Sequence, residues 1–191
     1  MWQQLLPGFR MTLVMTVLTG LIYPLLVTGL SQTLFREKAN GSLVTVNGLV
    51  VGSELIGQDF TKPEYFHPRP SAAGYDASAS TGSNFGPTSQ KLIDRVKASA
   101  EKFRKENPGF TDPLPADTVT ASASGLDPHI SPAAAGAQAE RVAKARGITP
   151  DQIKHLIEAG TEGRDLGFLG EPRVNVLALN RALDGNFPLK R

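Results

Sequence analysis

From Met11 to Phe35 the chain carries no formal charge, with Arg10 before the run and Arg36-Glu37-Lys38 after it. As a helix rising about 1.5 Å per residue the run spans roughly 37 Å, more than the ~30 Å hydrocarbon core of a bilayer. It is longer than the ~7–15-residue core of a signal peptide, and no small-x-small cleavage site follows it. The run predicts one uncleaved transmembrane helix over 11–35. A short tail over 1–10 precedes it, and a single soluble α+β domain over 36–191 follows. Within the run Thr12, Thr16, Gly20, Pro24 and Thr28 recur every four residues, a row that stays on one slowly rotating helix face. Small residues at that spacing let helix backbones approach closely in lipid, and a neighbouring helix can compensate the donor that Pro24 lacks. The bland alternative is the ordinary Thr and Gly content of a lone anchor.

Charge narrows the function classes. Lys and Arg number 20 against 18 Asp and Glu, and all but Arg10 lie beyond the run. That near balance is no nucleic-acid footprint. The absence of cysteine from the sequence excludes a disulfide scaffold, thiolate metal sites and a Cys nucleophile, and it suits an extracytoplasmic location. Flanking charge does not set the orientation, because Arg36 and Lys38 oppose Arg10 and the α-amino group. A short tail inside with the domain outside is the simple signal-anchor arrangement.

Local patterns place the elements. Leu43–Val46 and Leu49–Val51 flank Asn47-Gly48, a dipeptide suited to a type I′ hairpin turn. The stretch from Thr61 to Pro87 is rich in turn residues and too long for a passive connection. Leu92, Val96, Ala100 and Phe103 mark one face of a helix over about 88–106, stopped by Asn107-Pro108. Thr118-Val119-Thr120 reads as a short strand. Ser131-Pro132 opens an Ala-rich helix that ends at Gly147. Thr149-Pro150-Asp151-Gln152 opens another as a capping box, ending near Gly160. Pro172 opens a last helix through Leu183, closed by Asp184-Gly185; Val174-Asn175-Val176 could instead be extended.

No phosphate-binding loop, dinucleotide fingerprint, zincin or nucleophile-elbow motif is present. Ser99 and Lys102 fit S-x-x-K, but on an amphipathic helix they read as a solvated face. His67 lies in Tyr65-Phe66-His67-Pro68-Arg69-Pro70-Ser71, and His129 follows Asp127-Pro128. Ser71 or Ser131 with Asp127 and a histidine, His129 for Ser131, can be written as a hydrolase triad, although triads are recognised by geometry and not by spacing. The flanking prolines point instead to rigid loops whose imidazoles and carboxylates hold backbone groups. Arg69, between two prolines, is expected to point outward toward a protein or anion, with a surface salt bridge as the alternative.

Several long stretches closely resemble the C subunit of the Kdp potassium-transporting P-type ATPase. They are the membrane run, Val50-Val51-Gly52-Ser53-Glu54-Leu55-Ile56-Gly57-Gln58, the segment from Tyr65 to Ser71, Gly82-Ser83-Asn84-Phe85-Gly86-Pro87-Thr88, Thr120–Ala134 and Gly167–Leu177. The resemblance implies a non-catalytic subunit in the cell inner membrane, partnered by a channel-like potassium-binding subunit and an ATP-hydrolysing subunit. It implies no metal ligand and no nucleic acid. ATP is implied only by the family's description as a catalytic chaperone that raises the pump subunit's affinity through a transient ternary complex. Thr12, Thr16, Gly20, Pro24, Tyr65, Phe66, His67, Arg69, Ser71, Asp127 and His129 are the expected partner contacts. The rival readings are an ATP-binding regulator with an inside domain and a membrane-anchored hydrolase.

Overall fold

Pro24 has no amide hydrogen, and its ring crowds the carbonyl four residues back. In the computed structural model, which describes residues 2–46 and 48–189, the helix absorbs this just before the proline. Helix α1 (Trp2–Val17) passes through a π-helical turn (Leu18–Ile22) into α2 (Tyr23–Leu34). The Tyr23 amide reaches back to the Leu18 carbonyl across the wider turn. Together these segments make one apolar rod from Trp2 to Leu34 with none of its length buried. At about 1.5 Å per residue it is roughly 50 Å long. The rod starts earlier than the sequence predicts, since residues 2–10 are helical and not a free tail. Thr12, Thr19 and Thr33 donate their hydroxyls to the carbonyls of Gly8, Met15 and Gly29, so these polar groups are satisfied within the helix.

Phe35 leaves helical geometry at φ −136° and ψ 46°, and a single turn, α3 (Arg36–Ala39), follows. Strands β1 (Leu43–Val46) and β2 (Leu49–Ser53) then pair antiparallel with Val46 opposite Leu49 and a register shift between Val44 and Thr45. Gly48 sits at φ +78° in the connection; Asn47, the other half of the expected turn, lies outside the described residues. The chain divides into two compact units, Met1–Ser53 and Glu54–Arg191. The hairpin falls in the first of these units.

The second unit is built on α5 (Pro132–Arg146), α6 (Pro150–Ala159) and α7 (Val176–Asn186). Ala134, Ala135, Ala139, Val142 and Ala143 of α5 are buried with Ile153 and Ile157 of α6 and Leu179 and Leu183 of α7. Small α5 residues let the partner helices bring large aliphatic side chains close. The Ser131 hydroxyl caps α5 by accepting from Ala134 N, and Gly147 closes it in the left-handed conformation at φ +67°. Thr149 and Gln152 form the expected capping box on α6.

Against these helices lies a small antiparallel sheet in the order β3 (His129–Ile130), β5 (Arg173–Asn175), β4 (Thr161–Glu162). Pro172 does not open a helix. Residues 173–175 take the extended alternative, because β5 is paired on both sides. Asn175 then caps α7 by accepting from Ala178 N, and the helix continues through Asp184 and Gly185. Thr118 is likewise not in a strand, since Ala116–Thr118 forms a 3₁₀ turn. Helix α4 (Gln90–Glu106) is close to its expected bounds and buries Phe103. An apolar helix with a mixed helix-and-sheet unit is the α+β architecture read from the sequence.

Candidate functional site

The loop at 61–71 begins with a turn, in which Tyr65 N donates to Lys62 O at 3.1 Å, and then runs on with no strand partner, so its inward backbone groups need side chains to satisfy them. Two amides do this by mimicking a β ladder. Asn180 of α7, 2% exposed, accepts from Phe66 N at 2.8 Å and donates to Phe66 O at 3.0 Å. Gln138 of α5 does the same for His67, at 2.8 Å and 3.1 Å. Arg141 donates to the carbonyls of Pro63 and Tyr65 at 2.6 Å and 2.9 Å, and also to Asn107 and Gln138. Burial pulls the Arg141 guanidinium down to about 10, so it is still charged at neutral pH. Arg146 donates to Glu64 O, Phe187 O and Asp184, and stacks over the Tyr65 ring at 4.9 Å. The Tyr65 hydroxyl donates to Asp184 at 3.1 Å, and burial, followed by the Asp184 charge, raises its pKa.

Phe66 is therefore not a surface contact: it is fully buried in the core. His67 lies between acceptors, with Nε2 3.0 Å from Lys62 O and Nδ1 3.3 Å from Glu106 Oε2. A neutral ring must carry its proton on Nε2 to satisfy the carbonyl. Burial and then the Arg141 charge lower its pKa.

Arg69 does not point outward. Its Nη1 donates to Asp127 Oδ2 at 2.9 Å, and both side chains are mostly covered. The other Asp127 oxygen accepts from His129 N at 3.0 Å, with His129 Nδ1 3.6 Å away. Burial alone would raise the Asp127 carboxyl, but the hydrogen bonds from His129 and Arg69 outweigh it and hold the group down to about 2. Ser71 donates to Gly125 O at 2.6 Å and accepts from the amides of Ala73 and Tyr75. The backbones meet so closely that a Cβ on Gly57 would lie 2.6 Å from Asp127 O, and one on Gly125 2.6 Å from Thr81 O. Residues Arg69, Ser71, Asp127 and His129 thus form one interlocked corner that clasps two loops together.

Beside this corner is an open cleft of about 370 Å³. Its charged lining is Asp59, Glu106 and Asp117 against Arg69 and Lys102. Asp117 is already engaged by the Ser131 amide and hydroxyl at 2.6 Å and 3.0 Å, Arg69 by Asp127. A lining with an excess of carboxylates does not fit the triphosphate of ATP, which calls for unengaged donors and positive charge. Nor is the hydrolase triad assembled around Ser131: its hydroxyl is spent on Asp117 and on capping α5. Among the described residues no cluster of His, Cys, Asp and Glu has metal-holding geometry.

In the first unit, Thr12, Thr16, Gly20 and Pro24 are exposed along the apolar rod. A Cβ on Gly20 would meet only Thr16 Cγ2, at 3.9 Å. Gln138, Arg141, Arg146 and Asn180 were not singled out from the sequence. On a helix such residues read as solvated, and nothing local tells which loop will land on them.

Residues 5–185 match the family model described as "K+-transporting ATPase, c chain". The chain belongs to that family. It is 55% identical over 191 residues to the potassium-transporting ATPase KdpC subunit of Koribacter versatilis, covering 99% of this chain and 98% of the relative. With the KdpC subunit of Myxococcus xanthus the identity is 57% over 190 residues, covering 98% and 90%. With that of Caulobacter sp. strain K31 it is 60% over 176 residues, covering 91% and 89%. The family match and the one long apolar helix among the described residues agree with the resemblance read from the motifs.

Proposed function

We propose that the chain is a non-catalytic accessory subunit of an ATP-driven potassium uptake pump. It assembles and stabilises the complex of the channel-like potassium-binding subunit and the ATP-hydrolysing subunit. It spans the inner membrane once, with its N-terminus cytoplasmic and its soluble unit outside. The observation that carries the reading is the family match across residues 5–185 on a chain that has one exposed apolar rod. The residues of the candidate hydrolase triad are engaged in hydrogen bonds within the chain, which supports the non-catalytic part of the reading.

Any effect on ATP affinity then reaches the pump subunit through the membrane subunits, by contacts that differ between two pump states. Two experiments test this. A topology reporter at the C-terminus should report an extracytoplasmic domain. Calorimetric titration of the full chain in detergent with ATP should show no saturable heat. A cytoplasmic reporter together with saturable millimolar-or-tighter binding would establish the catalytic chaperone in its literal form instead.

The small-residue row supplies a second test. Gly20→Leu adds bulk at a position where a Cβ would meet only Thr16 Cγ2 in the chain itself, so the row predicts a loss at a partner helix. Co-purification of the other subunits should fall for Gly20→Leu and much less for Leu13→Ala. Equal yields would remove the row from the interface.

A further inference from the structure

The hairpin of β1 and β2 is apolar on both faces. Its register sets Val50 opposite Thr45, on the face of Leu43, and Leu49 opposite Val46, on the face of Val44. Leu43 is 57% exposed, Leu49 73% and Val50 59%, whereas Val44 is buried. A hairpin that meets water on one face alternates apolar with polar residues, and this one does not. A sheet of two strands is marginally stable in water without cover. No charged residue lies between Lys38 and Glu54.

The hairpin is tied to the end of the apolar rod. Gln32, in the last turn of α2, donates to the Asn40 side chain at 3.1 Å, and Ser42 N donates to Glu37 O at 3.0 Å. The Ser53 hydroxyl, at the end of β2, donates to Gly41 O at 2.6 Å. Both open ends of the hairpin are thus gathered beside the last turn of the rod. The uncharged run from Met11 to Phe35 spans roughly 37 Å, against ~40–45 Å for a bilayer with its headgroup layers. With Arg10 among the headgroups of one leaflet, Phe35 and the base of the hairpin are still among those of the other.

We infer that the hairpin is immersed in the headgroup layer of the bilayer, where both apolar faces meet lipid; the inference rests on the membrane crossing proposed above. Continuity with the rod selects lipid as the cover. The headgroup layer also holds water for backbone groups that no strand pairs, which hydrocarbon would leave unsatisfied. Charge agrees, because a segment lying in the interface combines apolar side chains with Lys or Arg that meet anionic headgroups. Arg36 and Lys38, exposed at the root of the hairpin, outnumber Glu37. The finger between β4 and β5, residues 163–172, also exposes apolar side chains but lacks this pattern. Its Arg164 and its neighbour Arg173 are spent on Glu171, Glu162 and Asp165. Its Leu166 is held at φ +53°, a left-handed conformation that Asn enters more readily.

The test uses the full chain reconstituted into vesicles of phosphatidylethanolamine and phosphatidylglycerol. The sequence has no cysteine, so Leu49→Cys, Val50→Cys and Leu21→Cys each create one attachment point for a fluorophore. The first two report on the hairpin and the third on the rod. Lipid that carries a nitroxide near the headgroup end of its acyl chain should remove emission from both hairpin labels, and aqueous iodide should remove less. A greater loss to iodide than to the lipid nitroxide would overturn the inference. Emission that neither quencher removes would also overturn it, because the cover would then be protein, such as a second copy of the chain. Lipid with its nitroxide near the acyl terminus should quench the label on the rod. Quenching on the rod without quenching on the hairpin would overturn the hairpin's place and leave the membrane crossing intact. No lipid quenching on the rod would overturn both.

Discussion

The loop at 61–71 and the finger at 163–172 are both connections, and they are built in opposite ways. The first is rich in proline and polar side chains, and it is turned inward. Asn180, Gln138, Arg141 and Arg146 satisfy its backbone, and Phe66 is sealed in the core. The second is rich in glycine, closes on itself, and turns Leu166 and Phe168 outward. Histidine, arginine and aspartate beside proline spend hydrogen bonds on neighbouring loops. A short Gly-Phe-Leu-Gly stretch looks like filler and carries the exposed apolar surface. Residue type marks a group as capable of an interaction. Only the fold decides whether that interaction is spent inside the chain.

The strongest way to break the comparison is Asn180→Leu. Leucine has nearly the same volume but leaves Phe66 N–H and C=O unpaired in the core. Each unsatisfied group costs about 1–3 kcal/mol, so the full chain in detergent should lose about 2–4 kcal/mol in a denaturant melt. A loss below about 1 kcal/mol would mean that the loop is not held as described.

A smaller effect sharpens the comparison at the Arg69–Asp127 corner. Because Asp127 is held below its ordinary value of 3.8, to about 2, its ionised form binds better in the folded state. The contribution is fully present above about pH 4 and is lost as pH falls through about 2, worth about 1–2 kcal/mol after allowance for partial exposure. Asp127→Asn should flatten that part of the pH–stability profile. Arg69→Glu would set two carboxylates together and should lower the melting temperature, in contrast to an exposed arginine, whose reversal would leave stability unchanged.

The smallest effect falls on the finger. Leu166→Asn should change stability by about 0.5 kcal/mol or less, and upward. A clear loss of stability would mean that Leu166 packs within the chain after all.

What was legible in the sequence was local. The Ser131-Pro132 start and the Thr149–Gln152 box are set by residues within one turn of each other, and both stand where the pattern put them. The uncharged run was equally plain, although its helix reaches back through Arg10 to Trp2. Strand β5 was legible only as an alternative to a helix start, since what decides for it is the pairing with β3 and β4 on either side. The contacts that the site residues make within the chain were not legible for the same reason. Nothing near Arg69 in the chain announces Asp127, 58 residues away, and nothing near Phe66 announces Asn180, 114 residues away.

The central claim is that this chain joins the other pump subunits without itself catalysing. It is tested most directly by purifying the channel-like and ATP-hydrolysing subunits from membranes with and without it and measuring potassium-stimulated ATP hydrolysis. The account predicts that a tagged copy of this chain brings down both subunits with potassium-stimulated activity, and that without it the two separate and the stimulation is lost. A stable complex of the two that hydrolyses ATP in response to potassium in its absence would contradict the account.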